Sequence, residues 1–488
     1  GHACRRIDPA IAFAWKDDSP DPRIVEPDWS ATWAGQLLVM APGEYRLHLY
    51  LAGDVDLELD GKQVLTGKRT ELGWLVSPPI ELAFGHHALR IRYQRNAAPA
   101  QIGLYWSGPQ FQLEPVPVWH LFHDASEEQL GDFERGATLV HALRCGACHD
   151  QLAQHKVLSA PALDRLAGNI SPEWLTRWIQ TAGHENVDVG TAGEKKSIAS
   201  RMPSLGVTTD EATSIAAYLL GDSTERQSTD DVELKGKAAA GALLFRTVGC
   251  LACHRVDELG TSELFGGGDL SFVADKRPAG YFARWLRDPA ALNASHRMPV
   301  FTLSDEEVAH LAAYLATLKS PVDENGADAA DYSDVTSNER AAGARLVAEY
   351  RCGNCHALPS DSNRNGKSTV VAISTSDADA GDCLGAADRD GKRPGYVLAE
   401  QDTAAVQAYL AALPQLEAEA HESPQPSDLD GRLVLAERNC LACHARGLEP
   451  GIGESLPALL ETDDALAPRL AALAPPALNS IGDKYHDQ

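Results

Sequence analysis

The sequence has little methionine, no long apolar run and a shortage of basic residues. Only 3 of its 488 residues are methionine. No stretch reaches the roughly 18 uncharged apolar residues that a membrane-spanning helix needs, so no membrane span is expected. Lysine and arginine number 43 against 69 acidic residues, a formal net charge of −26. This charge argues against a nucleic-acid partner and favours basic protein partners.

Ten cysteines in so long a chain are too sparse for a disulfide scaffold, but eight of them share one spacing. Each pair reads C-x-x-C followed by histidine, a pattern in which two thiols can form thioethers to a haem while the histidine faces the iron. Zinc ligands would come as converging pairs, whereas these motifs lie about 90 to 105 residues apart. Four covalently bound haem c groups are therefore predicted. The motifs are Cys145, Cys148 and His149; Cys250, Cys253 and His254; Cys352, Cys355 and His356; and Cys440, Cys443 and His444.

The similarity of the four units extends beyond the motif. A glycine stands nine residues before the first cysteine of each, within a run of helical character. Because a glycine inside a helix costs about 1 kcal/mol relative to alanine, its recurrence predicts a close helix crossing. Later helices, two of which open with capping boxes (Thr208 with Glu211, Ser304 with Glu307), would supply an aromatic to each crossing. The glycines are Gly136, Gly241, Gly343 and Gly431, and the aromatics are Tyr218, Tyr314 and Tyr409.

These units resemble class I cytochrome c domains in tandem, and their arrangement is similar to that of planctomycete-type multihaem cytochromes. The resemblance implies all-α domains, a crossing of first and last helices, and a methionine as the second axial ligand of the iron. It implies single-electron transfer, with redox proteins as partners. The expected domains are 128–221, 233–319, 337–415, which lacks the methionine, and 428–488, which is incomplete.

Two of the three methionines are candidate iron ligands. Met202 and Met298 each stand in an Arg-Met-Pro sequence, 16 residues before the tyrosine of the last helix. A thioether suits haem iron, and histidine–methionine ligation raises the reduction potential. Met202 is thus predicted to serve the first haem and Met298 the second. Met40, in a strand-like alternating stretch, is expected in a hydrophobic core.

The third unit departs from this pattern. Sixteen residues before Tyr409 stands Arg393, whose guanidinium cannot bind iron because it stays protonated. The sixth position of the third haem is therefore predicted to be empty or filled by another side chain, and an empty site would allow peroxide chemistry. Cys383 has a further alternative, a disulfide with Cys4. The alternative ligands are Cys383, Lys392, His120, His123 and His184.

The fourth unit stops without a methionine loop or last helix, so it is expected to be part of a longer protein. His486 is an alternative ligand there, although a solvated terminal histidine is the simpler interpretation. A longer protein would also leave open that this chain is the electron-accepting portion of a dehydrogenase.

Residues 1–118 differ from the rest. Alternating stretches at 45–51, 55–61 and 89–93, separated by turn sequences, predict an antiparallel β-sandwich. The region resembles a PA14 domain. Some PA14 domains bind sugars through calcium held by adjacent aspartates, but Ala52 and Gly53 occupy those positions, with Asp54 and Asp56 displaced. A structural or docking role is expected, with calcium and polysaccharide binding as the alternative.

The resemblance to c-type cytochromes implies export, so a periplasmic or extracellular location is expected, with the signal removed. The sequence nominates no acid–base pair or nucleophile, which favours an electron-transfer protein over an enzyme. A haem enzyme using an open third haem and a carbohydrate-binding surface protein are the other hypotheses.

Overall fold

The computed structural model describes residues 4–8, 10–17, 19–21, 23–24, 26–96, 99–124, 131–149, 152, 160–183, 201–221, 236–260, 264–320, 336–359, 383–389, 393–417, 428–446, 449, 451–454 and 475–478. They form an N-terminal β-domain and a helical region, so the protein has several domains. In the part described, no helix combines the length and apolar character needed to cross a membrane.

The β-domain is built around one long strand, β3. Its side chains alternate, and Leu47, Leu49 and Leu57 are fully buried. The first half of β3 pairs with β7 and the second half with β6, while β4 runs along it, all antiparallel. The predicted antiparallel β-domain is confirmed. Its strands are β1 (Ala12–Lys16), β2 (Ser30–Val39), β3 (Gly43–Leu59), β4 (Lys62–Val76), β5 (Ile80–Leu82), β6 (Gly85–Gln94), β7 (Ala100–Gly108), β8 (Phe111–Pro115) and β9 (Leu121–Phe122).

The expectation that Met40 lies in a core is wrong. Its exposed fraction is 61%. The alternation along β2 turns Leu37 and Val39 into the core, so the next residue after the strand points outward.

The helical region consists of helices separated by the cysteine motifs. The predicted capping boxes at Thr208 and Ser304 are confirmed, and Ser171 caps α2 by accepting a hydrogen bond from the backbone N–H of Trp174. Short strands at His254–Val256, Leu259–Gly260 and Gly268–Asp269 follow the second motif. The helices are α1 (Asp132–Ala142), α2 (Pro172–Thr181), α3 (Thr209–Leu220), α4 (Ala238–Thr247), α5 (Val273–Lys276), α6 (Ala279–Arg287), α7 (Pro289–Leu292), α8 (Asp305–Leu315), α9 (Ser337–Glu349), α10 (Glu400–Glu417) and α11 (Asp428–Glu437).

The second unit has the crossing that its sequence predicts. A Cβ added to Gly241 on α4 would lie 2.0 Å from the carbonyl oxygen of His310 and 2.7 Å from the Cβ of Tyr314 on α8. Only glycine allows this approach of the two backbones. The crossing of the first and last helices is confirmed for this unit.

The other two crossings join helices of different units. A Cβ on Gly136 of α1 would lie 2.0 Å from a backbone oxygen of α10, next to Tyr409. A Cβ on Gly343 of α9 would lie 2.0 Å from a backbone oxygen of α3, next to Tyr218. The expectation that each unit supplies its own aromatic is wrong here, because a glycine and a tyrosine specify the shape of a crossing but not which of several equivalent helices completes it.

Three helical modules result. Module A combines residues 131–149 with 383–389 and 393–417, and module B combines residues 160–183 and 201–221 with 336–359. Module C consists of residues 236–260 and 264–320 and contains both helices of its own crossing. Each has a separate hydrophobic core. The β-domain contacts module A, where the Arg23 guanidinium lies 4.0 Å from the centre of the Phe133 ring.

Candidate haem sites

All four cysteine motifs adopt the same local structure. Each forms a single 3₁₀ turn after a residue in the left-handed region, with φ between 53° and 100°. In three of them the backbone N–H of the histidine donates to the carbonyl oxygen of the first cysteine at 3.0 Å. Three of the left-handed residues are not glycine, and each carries a backbone strain of about 1–2 kcal/mol. Strain of this kind, present at three of the four motifs, is typical of functional turns. The left-handed residues are Arg144, Gly249, Arg351 and Asn439.

Three motif histidines are oriented by a backbone carbonyl. Nδ1 of His356 donates to Pro161 at 2.7 Å, Nδ1 of His444 to Pro476 at 2.7 Å, and Nδ1 of His254 to a glycine at 3.2 Å. A proton on Nδ1 leaves Nε2 with its lone pair free, which is the form that binds a metal. The rings are therefore held ready for an iron at Nε2.

The motif cysteines lie in apolar surroundings. Burial raises the pKa of the Cys145 and Cys250 thiols to about 12 and that of Cys352 and Cys355 to about 11. Such an environment does not stabilise a thiolate, the form that redox dithiols and zinc sites use. Among the described residues, no group of three or more histidine, cysteine or acidic side chains could hold a metal ion by itself.

Met298 lies where the sequence predicts, in module C. It packs against the same core as Cys250 and Cys253, and the indole Nε1 of Trp285 donates to its sulfur at 3.0 Å.

Met202 packs beside the third motif. It shares the core of module B with Cys352, Tyr350 and Val347, and Cys145 belongs to a different core. Its predicted pairing with the first haem is therefore not supported. The exchange of helices explains the difference, since the segment that bears Met202 folds onto α9.

The segment that lacks methionine packs against the first motif. Cys145 shares the core of module A with Leu384 and Tyr396, and the Tyr396 hydroxyl donates to the Leu143 carbonyl at 2.7 Å. After burial, the nearby Cys383 thiol is the strongest influence raising the pKa of Cys145. Cys383, predicted as a ligand of the third haem, thus lies next to the first motif.

The remaining alternative ligands of the third haem lie elsewhere or outside the described residues. Nδ1 of His120 donates to the Leu38 carbonyl in the β-domain, and His123 is exposed. Lys392 and His184 lie outside the described residues, and so does His486, the alternative ligand of the fourth haem.

The disulfide between Cys4 and Cys383, expected as an alternative, can be compared with the positions of the two cysteines. Neither Cys4 nor Cys383 takes part in a disulfide. Cys4 packs against the core of the β-domain, whereas Cys383 lies beside Cys145. A disulfide between them is therefore not formed.

The motifs meet in two pairs. Nδ2 of Asn354, inside the third motif, donates to the Ala147 carbonyl at 3.1 Å and to the Cys148 sulfur at 3.4 Å in the first. Nδ2 of Asn439, beside the fourth motif, donates to the Cys253 sulfur of the second at 3.3 Å. These contacts could not be predicted from the sequence, because single asparagines carry no recognisable pattern.

Buried arginines lie between the modules. Burial, with neighbouring Arg297 and Arg144, lowers the pKa of Arg201 to about 10. Nη1 of Arg201 and Nη1 of Arg393 are buried without a hydrogen-bond partner. An uncompensated buried cation costs several kcal/mol, so both positions suit a group that brings carboxylates. A haem brings two propionates, and the residues present fit it on this ground as well as through the motifs.

The β-domain does not form the adjacent-aspartate calcium site. Ala52 is buried, and the Tyr93 ring lies where a side chain on Gly53 would be. Asp54 pairs with Lys68 at 3.1 Å, and Asp56 accepts hydrogen bonds from Gln63 and Thr66. Elsewhere on the domain, Trp74 is 42% exposed, and its ring centre lies 5.0 Å from those of Tyr50 and Tyr105.

Comparison with known families now decides the two domain types. The PA14 domain model matches residues 2–117, and the Cytochrome c model matches residues 238–319. The chain carries a PA14 domain and a cytochrome c domain. The cytochrome c domain coincides with module C. These matches support haem-based electron transfer for the helical region and a binding role for the PA14 domain.

Two curated proteins each resemble part of the chain. Subunit CcoP of the cbb3-type cytochrome c oxidase of Helicobacter pylori (strain 52) is 26% identical over 255 residues, which cover 51% of this chain and 78% of that protein. Anti-sigma-I factor RsgI3 of Acetivibrio thermocellus is 30% identical over 125 residues, 24% of this chain and 19% of that protein.

Two solved structures also resemble part of the chain. An anti-sigma factor domain-containing protein has 29% identity and a TM-score of 0.23, covering 24% of this chain and 41% of that one. A PA14 sugar-binding domain from an RTX adhesin has 18% identity and a TM-score of 0.19, covering 20% and 55%. At these TM-scores the similarity supports no functional statement.

Proposed function

We propose that this protein is a multihaem c-type cytochrome that carries single electrons between redox partners outside the cytoplasm. The observation that carries the proposal is the repetition of one Cys-x-x-Cys-His turn, each preceded by a residue in the left-handed region, at four places. Haem c supplies reversible one-electron iron chemistry. The thiols of each motif would attach it, and Nε2 of the adjacent histidine would bind its iron.

The protein side chains tune and connect these sites. Apolar cores around the motifs keep water away, and the buried guanidinium groups of Arg201 and Arg393 would receive propionates. The contacts of Asn354 and Asn439 bring the motif turns together in pairs, which supports electron exchange within each pair. The formal charge of −26 favours redox partners with basic surfaces.

The number of haems tests this function. A pyridine haemochrome titration and intact mass of the exported protein should give four haems per chain. Cys440→Ala combined with Cys443→Ala should leave three, and Cys4→Ala, a cysteine outside the motifs, should leave four. A chain that holds fewer than four haems, with every motif intact, would contradict the proposal.

The exposed aromatic cluster of Trp74, Tyr50 and Tyr105 favours a second role, carbohydrate binding by the PA14 domain without calcium. Aromatic faces present apolar area with polar edges, which suits the faces of sugar rings. Glycan-array binding that survives a calcium chelator and is lost in Trp74→Ala is expected, with Phe84→Ala, another exposed aromatic, as the control. Binding that the chelator abolishes would contradict this role.

A further inference from the structure

Modules A and B are each built from chain segments that lie far apart in the sequence: module C lies between the segments of module B, and both of these modules lie between the segments of module A. Gly136 crosses Tyr409, and Gly343 crosses Tyr218, at the same approach that Gly241 makes to the helix of Tyr314 within module C. Since module C coincides with the matched cytochrome c domain, it serves as the internal standard. By that standard each exchanged pair of helices forms one cytochrome-like unit.

The histidine contact follows the same exchange. In module C the carbonyl that orients His254 belongs to Gly268, in the same segment. The carbonyl that orients His356 belongs to Pro161, which precedes it by 195 residues. The backbone N–H of Leu163 also donates to the Ala357 carbonyl at 2.8 Å. Residues 160–183 therefore surround the third motif from the side of its histidine.

The methionine loop completes the same unit. Met202 packs into the core that contains Cys352, just as Met298 packs into the core that contains Cys250. The loops of modules A and B do touch, since Ser204 and Gly395 exchange two backbone hydrogen bonds of 2.9 Å. Even so, the side chains that share a core with Cys145 come mainly from α1 and α10, with Leu143, Leu152, Leu264, Leu384, Tyr396 and Leu398, and none of them is methionine.

We propose that Met202, on the side opposite His356, is the sixth ligand of the haem attached at Cys352 and Cys355. We also propose that the haem whose iron is bound by His149 has no methionine ligand. This assignment rests on the proposed function and reverses the order that the linear spacing indicates. The chain thus moves its methionine from the first motif to the third by exchanging half-modules.

Magnetic circular dichroism of the oxidised full-length protein tests the assignment, because the near-infrared sulfur-to-iron charge-transfer band reports methionine ligation. Met202→Ala should remove about half of the wild-type band, leaving the share of Met298. Removing the third haem with Cys352→Ala and Cys355→Ala should remove the same half of the band intensity. Adding Met202→Ala to that variant should then leave the remaining intensity unchanged. Removing the first haem with Cys145→Ala and Cys148→Ala should leave the band intact.

Loss of the band share of Met202 in the first-haem variant, rather than in the third-haem variant, would overturn the proposal. A second measurement avoids the haem variants. A protease site placed between residues 221 and 236 should yield fragments that stay together on gel filtration, because both exchanged crossings span the cut. Fragments that separate without denaturant would also overturn it. A wild-type haem count below four would count against the proposed function alone, since this comparison needs only the first and third haems.

Discussion

Nδ1 of His356 donates to the carbonyl oxygen of Pro161 at 2.7 Å, although the two residues are 195 positions apart in the sequence. The equivalent bond of His254 reaches Gly268, only 14 residues further along the chain. In both histidines the hydrogen bond of Nδ1 orients the ring and leaves Nε2 free. For His254 the acceptor lies nearby in the sequence, and for His356 it lies in a distant segment.

The exchanged crossing makes Gly136→Ala destabilising. The added methyl would lie 2.0 Å from the backbone of α10, which forces the helices apart, so we expect the free energy of unfolding to fall by about 1–3 kcal/mol. Urea unfolding followed by circular dichroism measures it. Gly431→Ala is the matched control, because it has the same position in its motif and nothing within 4 Å, and it should be neutral or stabilising by up to about 1 kcal/mol. Equal effects of the two changes would contradict the crossing.

Replacement of Met298 should alter one haem only. Met298→Ala removes a thioether that raises the potential, so redox titration should show one haem shifted to a lower midpoint potential. Met40→Ala is the control, because Met40 is exposed on the β-domain. If the two variants titrate alike, Met298 does not bind iron.

Carbon monoxide should bind the reduced protein at the first haem, because the segment that packs on its motif contains no methionine. Optical titration should show a smaller CO-bound fraction when Cys145 and Cys148 are both replaced by alanine. The matched pair, Cys352→Ala with Cys355→Ala, should leave the amount of bound CO unchanged. The opposite pattern would place the open haem on the third motif, as the linear sequence suggests.

A histidine–aspartate pair should make the stability of the β-domain depend on pH. Burial lowers the pKa of His87, but its hydrogen bonds to the Ala83 carbonyl and to Asp60 leave it above 6.5. Burial raises the pKa of Asp60, but hydrogen bonds from His87 and the Ala88 N–H leave it below 3.8. The His87 contribution is complete below pH 6.5 and is lost as pH rises through its folded pKa. The Asp60 contribution is complete above pH 3.8 and is lost as pH falls through its folded pKa.

We therefore expect His87→Gln to lower the melting temperature more at about pH 5.5 than at about pH 8.5. Calorimetry of the variant and the parent at both pH values measures this difference. His86→Gln, a change at the exposed neighbour on β6, should show no such dependence. A deficit of equal size at both pH values would show that the pair acts without its charges.

The capping boxes and other local features could be predicted from the sequence, whereas the pairing of helices at the glycine crossings could not. The capping boxes at Thr208 and Ser304 depend on residues three apart, so their pattern is visible in the chain. The spacing of Met202 from Tyr218 correctly places both in one segment, but it does not say which glycine helix that segment meets. Three similar helices compete for three similar partners, and their long-range packing decides among them. Met40 shows a smaller failure, since alternation gives the two faces of a strand but the register decides which residue points inward.

The exchange of half-modules imposes an order on assembly. Arg135 and Asp402, which form an ion pair across module A, are 267 residues apart, so that module cannot close until almost the whole chain is present. A chain that ended at residue 320 would contain all of module C but only the N-terminal segments of modules A and B. Contacts of such long range form slowly, because the loop that they close costs entropy before the contact repays it. The first and third motifs are thus enclosed only after a distant segment of the chain is present, since neither module A nor module B can close from its N-terminal segment alone.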